Sequence, residues 1–215
     1  MKPVEESSKT RARPGRPLVY TPAQLLDRLV QAVIDLLAEQ GASADVSVAQ
    51  IAARAKVSKR TVYTAIESKE ELIALVIRRD AESITSLFDQ PVANAVDARA
   101  VLRQFLTQWA TLACGPTAVG VFVMAICERN RSPAIGAAYQ RSRYEFGFRK
   151  LAAWLARMDA QKFLHAANPD QLAEFVLTLV ASERQRKLAL GLDAPLTDAQ
   201  LDDRITAILG LLWPK

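Results

Sequence analysis

The chain has 215 residues, of which 50% are hydrophobic and 24% charged, and carries a net charge of +5. That is enough apolar material for a substantial core in one or two domains. No apolar run reaches the ~18 residues a membrane span needs, and the first 20 residues lack the apolar stretch of a secretory signal. A single histidine, His165, and two well-separated cysteines, Cys114 and Cys127, exclude the common zinc arrangements. The expectation is a cytoplasmic protein with no membrane association, no metal and no cofactor, its cysteines packed as small apolar residues.

The charge is unevenly placed. Residues 1–79 hold 13 Lys/Arg against 9 Asp/Glu, while residues 80–215 hold 15 against 14. A basic first third on a near-neutral body points to a polyanionic partner. Residues 1–20 form a basic tail expected to be disordered. Within it, Arg13 and Arg16 alternate with Pro and Gly, a composition that fits a narrow A·T-rich minor groove or serves simply as a solubilising tail.

Helix start signals then recur along the chain. Thr21-Pro22-Ala23-Gln24 is a capping box with proline at the first helical position. Leu25, Leu26, Leu29, Val33, Leu36 and Leu37 make the stripe of a first helix, which Gly41 stops. Ser47-Val48-Ala49-Gln50 opens a second helix, Ser58 caps a third that runs to about Ile66, and Ser68-Lys69-Glu70-Glu71 opens a fourth. The stretch 89–97, with Pro91, suits the break that follows. Ser132-Pro133, Asn168-Pro169 and Thr197-Asp198-Ala199-Gln200 mark later starts. No strand-like alternation and no Asn-Gly or Asp-Gly hairpin turn occurs. The pattern predicts an all-α protein of about nine helices.

The segment 46–77 is the most informative. Ile51, Ala52 and Ala55 share one face of a short helix, and alanines there let a second helix cross closely. The turn is Lys56-Val57, with Val57 as its apolar plug. On the helix that follows, Val62 and Ile66 point inward. Lys59, Arg60, Thr61, Tyr63 and Thr64 lie on the outer faces, where cations and hydroxyls can meet phosphates and base edges. Ser47, Ser58 and Lys69 stand at helix starts that can seat on DNA phosphate. The plain alternative is a solvated loop between ordinary core helices.

The set Ile51-Ala52-x-x-Ala55-x-Val57-Ser58-x-x-Thr61-x-Tyr63, followed by Lys69-x-x-Leu72, resembles the N-terminal helix-turn-helix domain of the tetracycline-repressor (TetR) family of bacterial transcription regulators. The resemblance covers roughly residues 22–80. It implies a DNA-binding domain over 21–80 and a ligand-sensing and dimerisation domain over 81–215. Two positions depart from the family pattern: its turn glycine is Lys56 here, and the aromatic that closes its recognition helix is Ile66. A lysine at a φ > 0 position would strain the turn by on the order of a kcal/mol.

The same resemblance implies a ligand cavity among the later helices, and Phe105, Trp109, Phe122, Tyr144 and Phe146 are the candidates for its wall. Such lining suits an apolar or aromatic effector. It also implies a homodimer built from the last two helices. Leu172, Phe175 and Leu179 form one seam, and Leu201, Ile205, Ile208 and Leu212 the other. The polar stretch 182–187 interrupts the first seam, either facing water or setting the register of a polar interface. The functional expectation is a homodimeric repressor that binds a near-palindromic double-stranded DNA operator and is released by a small molecule. An adaptor that has lost DNA binding is the alternative. An enzyme is disfavoured, since no HExxH, GxSxG or P-loop motif and no carboxylate cluster on an apolar helix face occurs.

Overall fold

The computed structural model describes residues 20–40, 46–192 and 194–213, with backbone only at 40, 80 and 143–145. Arg13, Arg16 and the Gly41 stop therefore lie outside the described residues. Among the described residues every regular element is helical.

The chain enters α1 (Pro22–Gln40) through the expected capping box. The Thr21 amide donates to Gln24 Oε1 at 2.9 Å, and the Gln24 amide to Thr21 Oγ1 at 3.2 Å. Two short helices follow, α2 (Val48–Arg54) and α3 (Lys59–Ala65), then the long α4 (Lys69–Thr85). A 3₁₀ turn at Ser86–Asp89 leads to α5 (Ala95–Ala113) and α6 (Pro116–Cys127). The start of α5 carries a cap that the sequence reading did not single out. Asn94 Oδ1 accepts from the Val96 and Asp97 amides, both at 2.9 Å.

The remaining α-helical segments are α7 (Pro133–Ser142), α8 (Arg149–Ala160), α9 (Pro169–Leu177), α10 (Glu183–Ala189) and α11 (Asp198–Leu212). Two π-helical stretches join neighbours without a break: Arg143–Phe148 links α7 to α8, and Thr178–Ser182 links α9 to α10. Counted as continuous rods, the described helices match the expected nine. The wide turns have local partners. Arg204 Nε donates to the Leu179 carbonyl at 2.7 Å. A Cβ on Gly147 would lie 2.2 Å from Trp109 Cη2, so the indole packs where only a glycine leaves room.

Two apolar clusters hold the fold. One is centred on α5, α8 and α9, where Phe88, Phe105 and Trp154 meet with ring centroids 4.5 and 5.4 Å apart. Burying each such ring contributes roughly 2–3 kcal/mol before side-chain entropy is subtracted. The other joins α1–α4 to the body: Leu29, Ile51, Val62 and Leu72 share it with Val121 and Met124 of α6 and Ile135 of α7. Among the described residues no single helix is long and apolar enough to cross a membrane, and no cluster of three His, Cys, Asp or Glu side chains could hold a metal.

Three helix ends close in the same way. After α8, the Lys162 amide donates to Asp159 O at 2.9 Å and the Phe163 amide to Met158 O at 3.0 Å, with Lys162 at φ 61°. Gly191 does the same after α10 at φ 67°. This left-handed closing position favours glycine. Replacing the exposed Lys162 by glycine is expected to stabilise the protein by about 0.5–1 kcal/mol. Differential scanning calorimetry should show Tm rising by roughly 2–4 °C.

Candidate DNA-reading head and effector cavity

The head is built around the junction of α2 and α3. Ser47 caps α2 reciprocally: its hydroxyl accepts from the Gln50 amide at 3.3 Å, and its amide donates to Gln50 Oε1 at 2.8 Å. The helix ends at Ala55, and the turn has the six-to-one closure seen after α8. The Val57 amide donates to Ala52 O at 2.9 Å and the Lys56 amide to Ala53 O at 3.1 Å. Lys56 has φ 56°, so a lysine occupies the left-handed position that glycine fills most easily. The lysine is therefore strained, as expected if this site demands positive φ, yet the turn keeps its hydrogen bonds. Arg28 of α1 supports it from below, donating through Nε and Nη2 to the Ala55 carbonyl at 3.2 and 3.1 Å. Its guanidinium lies 4.8 Å from the Tyr20 ring centre.

Ser58 caps α3 by accepting from the Thr61 amide at 3.0 Å. Val62 and Ile66 are buried, so the aliphatic at the family's aromatic position does close the helix onto the core. Lys59, Arg60, Tyr63 and Thr64 are exposed on the opposite side, Tyr63 by 57%. Two hydroxyls are already partly engaged. Thr61 Oγ1 lies 2.8 Å from Ser58 Oγ, and Thr64 Oγ1 donates to Thr61 O at 2.7 Å. The freest groups on this face are thus the two cations, the phenol and the threonine methyl of Thr64.

The start of α4 completes the head. Ser68 Oγ accepts from the Glu71 amide at 3.1 Å, and Lys69, half-buried, is the first helical residue. Glu70 faces the body, where Ser132, just ahead of α7, donates its hydroxyl to Glu70 Oε1 at 2.5 Å. That hydrogen bond holds the Glu70 carboxyl below its ordinary range. An ion pair ties α2 to α1: Arg54 grips Glu39 with both terminal nitrogens and depresses its acidity in the same way.

Behind the head, α4 forms one wall of a cavity of about 70 Å³ through Val76, Ile77 and Ala81. Trp109 of α5, Val121 of α6 and Tyr139 of α7 form the facing walls. Ser142, Ser182 and Gln185 add the polar atoms, and no charged side chain is present among the described lining residues. The Tyr139 hydroxyl donates to Gln185 Oε1 at 2.9 Å. Val121 belongs both to this wall and to the core of the head.

Residues 29–76 match the family model described as bacterial regulatory proteins, tetR family, and residues 100–211 match the C-terminal domain of AefR-like transcriptional repressors. The chain belongs to the TetR family of transcriptional regulators. A flavonoid-responsive regulator, FrrA, is 30% identical over 88% of this chain and 95% of its own, with a TM-score of 0.61. A TetR-family regulator from Pseudomonas syringae pv. tomato shares the fold at 22% identity, covering 86% of this chain and 92% of its own, with a TM-score of 0.61. RolR, solved with resorcinol, shares it at 18% identity, covering 89% and 88%, with a TM-score of 0.57. No curated protein matches the chain.

Placed on this TetR fold, the expected effector residues divide. Trp109 lines the cavity. Phe105 does not: it is fully buried between Phe88 and Trp109, because its helix face turns into the main core. Phe122 sits behind the wall, its ring 5.8 Å from that of Tyr139, and Phe146 is half-buried away from the cavity lining. The side chain of Tyr144 lies outside the described residues. The polar residues of the wall, above all Gln185 and Ser182, were missed as ligand contacts. The sequence reading weighed only water or a dimer interface for the stretch 182–187, although Ser182 and Gln185 are three apart and share a helix face.

The expected dimer seams also divide. Ile205 and Ile208 are buried against their own chain, since α11 turns that stripe onto α5. Leu172, Leu201 and Leu212 are half-buried against the same core. Phe175 and Leu179 remain 53% and 45% exposed, and Leu211, which the sequence seam did not include, is 73% exposed.

The Glu70–Ser132 link has a pH signature. A carboxylate depressed in the folded state contributes stability above its unfolded value, about pH 4.3, and loses it as pH falls through the lower folded value. Ser132→Ala removes the principal cause of the depression. Urea unfolding at stepped pH is expected to show a smaller loss of stability for this variant than for the wild type on going from pH 5 to pH 3.

Proposed function

We propose that this protein is a homodimeric repressor whose two heads occupy adjacent major grooves of a near-palindromic operator and whose DNA affinity falls when a small aromatic molecule fills the cavity. The observation that carries the reading is the double membership of α4. It begins at Lys69 in the head and supplies Val76, Ile77 and Ala81 to the cavity wall. A ligand that prefers one arrangement of this helix shifts DNA affinity by its differential affinity for the two states, typically about 1–3 kcal/mol.

In this reading Lys69 and Tyr63 set the register on phosphate, with Ser47 and Ser58 at the neighbouring helix starts. Lys59, Arg60, Thr61 and Thr64 face base edges, and Arg13 and Arg16 of the tail reach the minor groove. Lys56, in the strained turn, adds a cation beside the backbone. Half-sites would lie about 34–36 Å apart, one helical turn of DNA. The relatives support an aromatic effector: one is described as flavonoid-responsive and another was solved with resorcinol. Phe175, Leu179 and Leu211 are the apolar side chains left for a second copy to cover.

The test is a fluorescence-anisotropy titration of DNA taken from upstream of the protein's own coding sequence, at several salt concentrations. Tyr63→Ala/Lys69→Ala is expected to weaken binding at least tenfold and to lower the salt slope by about one. Unchanged affinity in the double variant would refute the assignment. Phe175→Glu/Leu179→Glu is expected to leave the fold intact by circular dichroism. In sedimentation velocity it should shift the species from dimer to monomer at micromolar concentration, and it should weaken operator binding in parallel.

A further inference from the structure

We infer that the cavity selects an uncharged aromatic ketone, or a comparable aromatic bearing one exposed acceptor oxygen, and that Gln185 is the residue that recognises it. This rests on the cavity being the effector site of the regulator proposed above, and it names the ligand class for that site.

Gln185 carries the inference. It is only 5% exposed and lines the cavity. Its Oε1 is occupied by the Tyr139 hydroxyl at 2.9 Å, which fixes the amide plane. The other end of the amide, Nε2, makes no hydrogen bond with the described residues and borders the cavity. An amide NH₂ has two donors and no acceptor. A buried donor of this kind is satisfied by an acceptor oxygen on whatever enters, or by water that an apolar ligand would have to displace. The flanking wall is the Trp109 indole and the Tyr139 ring, with aliphatic side chains from α4 and α6 around them. Rings favour a flat aromatic partner. No Lys, Arg or His is present among the described lining residues to neutralise a carboxylate or phosphate. An anion entering there would lose its hydration without a counter-charge. The combination of one fixed donor, two rings and no described charge selects a carbonyl on an aromatic skeleton. It selects against the corresponding acid and gives no preference to the bare hydrocarbon.

Equilibrium dialysis of the full chain at neutral pH, without DNA, against three shape-matched probes tests this: methyl β-naphthyl ketone, β-naphthoate and β-ethylnaphthalene. The ketone is expected to bind roughly tenfold more tightly than the hydrocarbon, and at least about 100-fold more tightly than the acid anion. Gln185→Leu is expected to erase the ketone's margin over the hydrocarbon while leaving hydrocarbon binding within about twofold. That residual binding also reports that the variant cavity is intact. Gln185→Glu, should the leucine variant not fold, is expected to reject the ketone through acceptor–acceptor repulsion. Equal binding of ketone and hydrocarbon by the wild type, binding of the anion as tight as the ketone, or no binding of any probe would overturn the inference. Operator binding by the unliganded wild type is measured separately. Its loss would refute the regulatory reading and leave the ligand class standing, and the converse also holds.

Discussion

The apolar contact of α4 with α6 and α7 is the constraint on which the rest of the molecule depends. Leu72, Ile73 and Val76 of α4 belong to the same buried cluster as Val121, Met124 and Ile135. That cluster also contains the crossing residues of the helix-turn-helix, Ile51, Ala52, Val62 and Ile66. The head thus has no separate core that could move while the body stays still. Close-packed interiors transmit a displacement because they cannot absorb it. Val121, which fronts the cavity and also packs under the head, stands where a ligand's volume and the head's position meet. The Ser132–Glu70 hydrogen bond adds a polar tie across the same junction, one residue from Lys69.

Inside the head, the geometry is held by hydrogen bonds that leave the reading face open. Capping at Ser47, Ser58 and Ser68 and the Arg28 clasp on the Ala55 carbonyl satisfy backbone groups that would otherwise seek water. Lys59, Arg60 and Tyr63 are left to solvent. The strained Lys56 shows that the turn is imposed by its surroundings rather than by local preference. Ala52, Ala53 and the plug at Val57 hold the closure even though the residue in the left-handed position would choose otherwise.

Much of this was legible beforehand, for a physical reason. Caps, proline at first helical positions and apolar stripes are local signals, so the starts at Thr21, Ser47, Ser58, Ser68, Asn168 and Thr197 could be read directly. The crossing of α2 and α3 was also legible, because small residues at helical spacing on short, closely linked helices leave few other ways to pack. The departures at Lys56 and Ile66 could be named from the pattern. Only the backbone showed that Lys56 takes φ 56° and that Ile66 is buried.

The cavity and the outer seams were less legible, because they depend on which way a face turns in three dimensions. Phe105 and Trp109 lie four apart on one helix and look equivalent in sequence. The tertiary packing sends the first into the core and brings the second to the cavity, with Gly147 making room for its indole. Ile205 and Ile208 read as a pairing seam, and α5 takes them instead. Gln185 read as an interruption of an apolar stripe. The sequence by itself determined the all-helical class, the capped starts and the reading face of the head, since these follow from short-range periodicity and hydrogen-bond chemistry. Only the tertiary structure decided which residues wall the cavity and which apolar faces are left exposed, since that depends on contacts between helices far apart in the chain and on the two π turns that rotate α8 and α10 relative to the helices before them.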